Sequence, residues 1–189
     1  DPNDAYGLSK AAYQFLAGQL THAREIAGVF APTVNSYKRL TPGFEAPAYV
    51  SWARINRSAL IRVPKVSKGL EPKATRLEIR CPDPSGSPYL TFAVLLKAGL
   101  EGMKRGLKAP KPVEENVFEF DDSKLAKYYI TKLPGSLGEA LTEIEKGKIV
   151  RETFGDYTFH RYLEAKHQEW DSFRRWVTDW ELDRYFEQL

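Results

Sequence analysis

Three stretches place apolar residues at helical spacing, and together they assign most of this 189-residue chain to helices that pack through one face. The first, residues 8–30, carries Leu8, Ala12, Phe15, Leu16, Leu20, Ala23, Ile26, Ala27 and Phe30, with Ser9 available as a cap, and predicts one amphipathic helix. Ser87-Pro88 opens the second, because serine is a favoured cap and proline is tolerated at the first helical position. Its very apolar run from Tyr89 to Leu100, continuing to Leu107, predicts a buried helix too short to span a bilayer. The third runs from Thr158 to Val177, with Phe159, Tyr162, Leu163, Trp170, Phe173 and Trp176 on its apolar side. Ser136 with Glu139, and Thr178 with Glu181, read as capping boxes at two further helix starts.

Strands are fewer. Ala59–Val63 and Arg76–Cys81 read as two short ones, separated by a Lys, Ser, Gly and Pro connection. In the second, side chains alternate, so Leu77, Ile79 and Cys81 share one face and Arg76, Glu78 and Arg80 the other. Pro32, Pro42, Gly43 and Pro47 punctuate a long loop, Asn35–Pro47, of the kind that often carries function. With no internal repeat and no low-complexity segment, residues 1–189 read as one domain or part of one. The length and the 42% hydrophobic content suffice for a packed core, and no signal-peptide pattern opens the chain, so a soluble, cytoplasmic protein is expected. The single cysteine, Cys81, excludes an internal disulfide and a cysteine-rich metal module, and its place on the apolar face favours a core role over a nucleophilic one.

Net charge is only +3, yet residues 54–80 hold eight basic side chains against Glu71 and Glu78. The chemistry has to be read from Arg39, Glu45, Arg57, Arg62, Lys73, Arg76, Glu78 and Arg80, since no histidine or serine stands in a nucleophile arrangement. Arginine forks bind carboxylate and phosphate oxygens through paired, charge-assisted hydrogen bonds, and a glutamate among them suits a hard divalent cation. From spacing alone two readings stay open, a phosphate and metal site or a solvated ion-pair stripe on a strand. A third, a basic module gripping RNA or DNA, is disfavoured because aromatic residues are not interleaved with the basic ones and Glu45 and Glu78 would repel the phosphate backbone. His160, Glu164 and His167 share one face of the third helix, but that face is the charged one and no other ligand cluster accompanies it. Trp170, Trp176 and Trp180 read as core or subunit contact.

Three stretches of wording resemble the glutamine synthetase family. Asn35-Ser36-Tyr37-Lys38-Arg39-Leu40-Thr41-Pro42-Gly43-Phe44-Glu45-Ala46-Pro47 looks like its substrate loop, and Asn56-Arg57-Ser58-Ala59-Leu60-Ile61-Arg62 like its arginine-bearing strand. Arg76-Leu77-Glu78-Ile79-Arg80-Cys81-Pro82-Asp83-Pro84 with Pro88-Tyr89-Leu90 completes the set, and weaker similarity extends through Leu133–Leu137 to Trp180–Leu182. The resemblance implies an α+β fold, the C-terminal portion of the family's catalytic domain, mostly helices with a few antiparallel strands. It implies an ATP-dependent ligase that makes glutamine from glutamate and ammonium through a γ-glutamyl phosphate, with Mg²⁺ or Mn²⁺ as cofactor and a ring-type homo-oligomer as assembly. By that resemblance Arg39 and Arg80 bind substrate, Glu45 sits on a flap over it and accepts a proton, and Arg57 stabilises the phosphoryl group in transfer. Arg62, Lys73 and Arg76 contact ATP phosphates, and Glu78 ligates the metal.

Departures accompany the likeness. The family's N-terminal β domain and the first half of its catalytic domain, with most metal-ligating glutamates, a histidine ligand and the aspartate that handles ammonium, have no counterpart here, so the chain alone is expected to be inactive and to need that half for full stability. Asp1 is not an initiator methionine, which suggests a fragment or processed chain. Phe118 replaces the tyrosine that some bacterial members adenylylate, removing the hydroxyl that regulation needs. Ser87 stands where many members have asparagine, and Cys81 where many have phenylalanine. Relatives acting on polyamines or other amines share much of this wording and remain the alternative subclass.

Overall fold

The computed structural model describes residues 1–43, 46–56 and 58–188. Helices dominate it. Ser9 caps α1 (Lys10–Thr21) by accepting the Ala12 amide at 3.2 Å, and α2 (Ala23–Phe30) follows after a break at His22. The single helix expected over 8–30 is therefore two. His22 leaves helical geometry at φ −100° and ψ 6°, and its ring Nδ1 lies 3.2 Å from Glu25 Oε2. The break has a packing reason: α1 lies against α5 (Pro88–Arg105), whereas α2 lies against α7 (Leu137–Lys146), and one straight helix could not meet both. Where α1 meets α5, Gly18 and Gly102 bring the two backbones into direct contact.

The loop after α2 contains one short helical turn, α3 (Ser36–Arg39). It leads to a strand that no sequence signal marked, β1 (Tyr49–Ala53), which pairs in parallel with β2 (Ala59–Arg62). A turn of helix, α4 (Glu71–Ala74), precedes β3 (Glu78–Ile79), which runs antiparallel to β2 with Arg62 opposite Glu78. The small sheet is thus mixed, in the order β1-β2-β3, beside the expected excess of helix. Parallel strands usually need a connection of a dozen residues or more. Here the connection is short, and the segment after α5 holds its start: Val113 N–H donates to Trp52 O at 2.9 Å, and the Glu114 carboxylate accepts the Arg54 and Ile55 amides at 2.8 and 3.1 Å. Residues 131–133 cover the outer edge of β1, with Val50 N–H on Thr131 O and Leu133 N–H on Ala48 O, both at 2.8 Å.

Pro88 occupies the first turn of α5 as expected, and Ser87 holds the cap position, but its side chain makes no capping bond. Only one face of α5 is buried, through Thr91, Val94, Leu95, Ala98, Gly99 and Gly102. The fully buried helix is corrected accordingly, because Tyr89, Phe92, Leu96 and Leu100 lie along an exposed face. A short 3-10 turn (Val117–Glu119) and α6 (Asp122–Lys127) then build a small second core of Val113, Val117, Phe120, Leu125 and Ile130 against Ala48 and Tyr49.

Ser136 caps α7 through the Glu139 amide at 3.1 Å, but the Glu139 carboxylate accepts from Gly135 N–H and meets Arg24 instead of closing the box on Ser136. The third predicted helix starts earlier, as α8 (Ile149–Phe173), with a break at Gly155, whose φ of 71° a side-chain-bearing residue rarely adopts. The Glu25 carboxylate caps α8 by accepting the Ile149 and Val150 amides. Phe159 and Leu163 are buried and Trp170 packs over Gly138, whereas Trp176 and Trp180 are exposed. Thr178 and Glu181 form the expected reciprocal box at the start of α9 (Asp179–Tyr185), a helix with no buried residue. No helix among the described residues is long and apolar enough to cross a membrane.

Candidate functional site

The antiparallel pairing of β2 with β3 gathers the charged residues that alternate along the chain. Opposed residues on a sheet face lie within side-chain reach. Glu78 Oε2 therefore sits 3.0 Å from Arg62 Nη2 and 3.9 Å from Arg76 Nη2, so one carboxylate oxygen stands between two guanidiniums. All three side chains are partly exposed. The opposite face holds Leu77 and Ile79 against the core, and Cys81 behind them is fully buried. Burial pushes the Cys81 thiol well up, which leaves it protonated and inert, the core role expected of it.

Arg62 has a second feature. Its Nε is buried and has no hydrogen-bond partner among the described residues. An unsatisfied buried N–H is costly, and an oxyanion ligand is one way to satisfy it.

Arg39, at the end of α3, reaches the backbone that leaves β3: Nη1 donates to Arg80 O at 3.4 Å, and Nη2 to Cys81 O and to Pro82 O at 3.2 Å. The substrate-loop motif and the strand motif, some forty residues apart in sequence, are thereby joined. Those bonds leave part of the five-donor guanidinium for a ligand. Arg80 Nη1 lies 3.5 Å from Ala59 O, which turns it back along β2, and Lys73 stands exposed on α4. Glu45 and Arg57 lie outside the described residues. Asn56 and Ser58, the sequence neighbours of position 57, are described and buried.

Beside this cluster is a cavity of about 870 Å³, lined by Asp4, Tyr6, Arg54, Lys65, Thr75 and Arg76 among others. Arg76 thus faces both the cavity and Glu78. The size lies within the range of small-ligand clefts. Tyr6 sets one wall by stacking under the Arg54 guanidinium, 4.5 Å from the ring centre, and donates to Glu114 Oε1 at 3.3 Å. That cavity was not legible in the sequence, because its walls come from the N-terminal loop, the β1–β2 connection and the approach to β3.

As a metal site the cluster is incomplete. No group of three or more His, Cys, Asp or Glu that could hold a metal occurs among the described residues, and Glu78 alone supplies one hard oxygen ligand. The His160, Glu164 and His167 face forms no such group either: Glu164 pairs with Arg161 at 2.5 Å and His167 Nε2 meets Glu145 at 2.8 Å.

Residues 1–185 match the family model described as glutamine synthetase, catalytic domain. The chain belongs to the glutamine synthetase catalytic-domain family. Among its relatives, the glutamine synthetase of Thermotoga maritima is 48% identical over 185 residues, covering 98% of this chain and 41% of the relative. That of Pyrococcus abyssi is 48% identical and covers 95% and 43%. Among solved structures, a GmaS/ADP complex superposes with a TM-score of 0.81 at 28% identity, over 98% of this chain and 41% of that one. The chain therefore spans about two fifths of the length of these relatives.

Proposed function

We propose that this chain is the C-terminal part of the catalytic domain of an ATP-dependent glutamate–ammonia ligase, and that the β2–β3 face is its phosphoryl-transfer surface. The observation that carries the reading is the Arg62–Glu78–Arg76 cluster, in which the buried Arg62 Nε has no partner among the described residues, opening beside a ligand-sized cavity. The ADP held by the structurally similar GmaS and the glutamine synthetase names of the sequence relatives support a nucleotide at this surface.

In this reading ATP phosphates meet Arg62, Lys73 and Arg76, and Arg57 stabilises the phosphoryl group in flight. Arg39 and Arg80 bind the glutamate, whose side-chain carboxylate oxygen attacks the γ-phosphorus as ADP leaves. Ammonia then attacks the acyl carbon and phosphate departs, with Glu45 accepting the proton that the new amide sheds. Such transfer depends mainly on positioning and on cancelling charge at oxygen, which fixed guanidiniums do. A divalent ion, Mg²⁺ or Mn²⁺, would neutralise phosphate charge, and Glu78 is the residue here that would hold it, as one ligand among others from outside the described set. The assembly is a ring-type homo-oligomer in the cytoplasm, and the chain by itself does not turn over.

The test is phosphate release from ATP by the complete gene product, with and without glutamate and ammonium, beside Arg57→Ala. Release that needs both substrates and collapses in the variant is expected. Release indifferent to ammonium, or supported only by a larger amine, would move the parent protein to another subclass, and no release would leave a non-catalytic scaffold.

A further inference from the structure

Glu78 holds the donors that an anionic ligand of this face would need. Its Oε2 lies 3.0 Å from Arg62 Nη2 and 3.9 Å from Arg76 Nη2, while Oε1 has no partner among the described residues. The fold sets this arrangement. Arg62 stands opposite Glu78 in the antiparallel register, and Arg76 precedes it by two positions, with Nη1 tied to Ala74 O at 3.1 Å so that the guanidinium stays near the carboxylate. The pair is neither sealed nor saturated: Arg62 and Glu78 are 34% and 32% exposed, and the buried Arg62 Nε is a donor that the carboxylate does not use. Water screens such a contact, so a stronger ligand can displace it.

Carboxylate and phosphate oxygens take the same guanidinium donors. A bare polyphosphate reaching Arg62 and Arg76 must therefore displace Glu78 from both and then lie beside its negative charge. One that carries a divalent cation meets neither obstacle, because Glu78 is a hard oxygen ligand and can turn to the cation, releasing the guanidiniums to the phosphate. We infer that Glu78 is a specificity-determining residue: as an internal competitor for Arg62 and Arg76, it keeps metal-free nucleotides off this face and admits the nucleotide only together with its divalent cation. The inference rests on the nucleotide reading of the β2–β3 face given above. It adds to metal ligation a separate role, the rejection of a wrong ligand by a charge placed against it.

Titration calorimetry of the complete gene product with ADP, once with Mg²⁺ and once with a chelator at equal ionic strength, reads the discrimination. Glu78→Gln keeps the shape and removes the charge. It should bind metal-free ADP about tenfold more tightly than the native protein and Mg²⁺–ADP more weakly, since like charges set side by side are costly and partial exposure moderates that cost. A gain in affinity is an outcome that a misfolded variant could not produce. Glu71→Gln removes the same charge from the same basic stretch, but Glu71 has no guanidinium partner among the described residues and accepts the Gly69 amide instead. It should leave metal-free binding within about twofold at physiological salt. Metal-free ADP bound no more tightly by Glu78→Gln, or an equal gain in Glu71→Gln, would overturn the inference while leaving the nucleotide reading in place. ADP binding indifferent to Arg62→Ala, with and without Mg²⁺, would overturn that reading, and the inference with it.

Discussion

Replacing Gly102 by alanine tests the packing on which the helical layer depends. A Cβ at Gly102 would lie 2.6 Å from both Cα and N of Gly18 and still closer to Gln14 O, all backbone atoms of α1. Carbon atoms pack best at about 3.5–4.0 Å, so α1 and α5 would have to part by about 1 Å, and a gap of that size forfeits up to half of each contact's attraction along the interface. Overpacking of this kind costs about 1–3 kcal/mol, at the upper end where the obstacle is backbone, against a gain of about 1 kcal/mol in helix propensity. The net expectation is a loss of about 2 kcal/mol, or a melting temperature lower by about 4–8 °C for a chain of this size, read by circular dichroism. Gly28→Ala in α2 is the comparator, because its Cβ meets the mobile end of Ile144 at 2.8 Å and Ala140 Cβ at 3.3 Å, and the Ile144 end can turn away. It should stay within about 1 kcal/mol of the parent. Gly102→Ala as stable as Gly28→Ala would refute the claim that α1 and α5 meet backbone to backbone.

Arg24 ties α2 to α7 through Glu139 at 2.8 Å and Glu143 at 3.3 Å. Its guanidinium holds the Glu143 carboxyl below the usual range; at Glu139 partial burial pushes upward, but the Gly135 amide and Arg24 outweigh it. Depressed carboxyls contribute stability above their unfolded value, near 4.5, and lose it as pH falls through the folded one, so Arg24→Met should cost about 1 kcal/mol at pH 7 and flatten the fall in melting temperature below pH 4.5. An unchanged acid limb in the variant would contradict this. Glu25→Ala should cost about 2 kcal/mol by orphaning the Ile149 and Val150 amides, seen as a lower urea midpoint at constant slope. Cys81 should resist a thiol-specific dye in the native protein and react fast once urea exposes it; rapid native labelling would contradict its burial.

The helical character, the capping of Ser9 and Thr178 and the two faces of the 76–81 stretch were all legible in the residues, because each depends on neighbours within four positions. What was not legible depends on distant ones. The break at His22 follows from two packing partners, α5 and α7, that no local pattern names. β1 has little alternation to mark it, since four of its five residues are buried, and its parallel pairing depends on Glu114 and Val113. The exposed face of α5 read as core because composition records apolarity and not exposure, and Trp180, read as core or subunit contact, is exposed in this chain. At the site, Arg76 and Glu78 could be grouped from alternation alone, whereas the pairing of Arg62 with Glu78 across β2 and β3, the docking of Arg39 on residues 80–82 and the hold of Asn56 on residues 113–115 needed the fold.

The central claim is that a glutamate carboxylate oxygen attacks ATP at the β2–β3 face, and isotope transfer tests it most directly. The complete gene product, given ATP, ammonium and glutamate labelled with heavy oxygen in its side-chain carboxylate, should release phosphate that carries one heavy oxygen per glutamine formed, and Arg62→Ala should slow that release. Phosphate containing only oxygen from ATP and water would contradict the account.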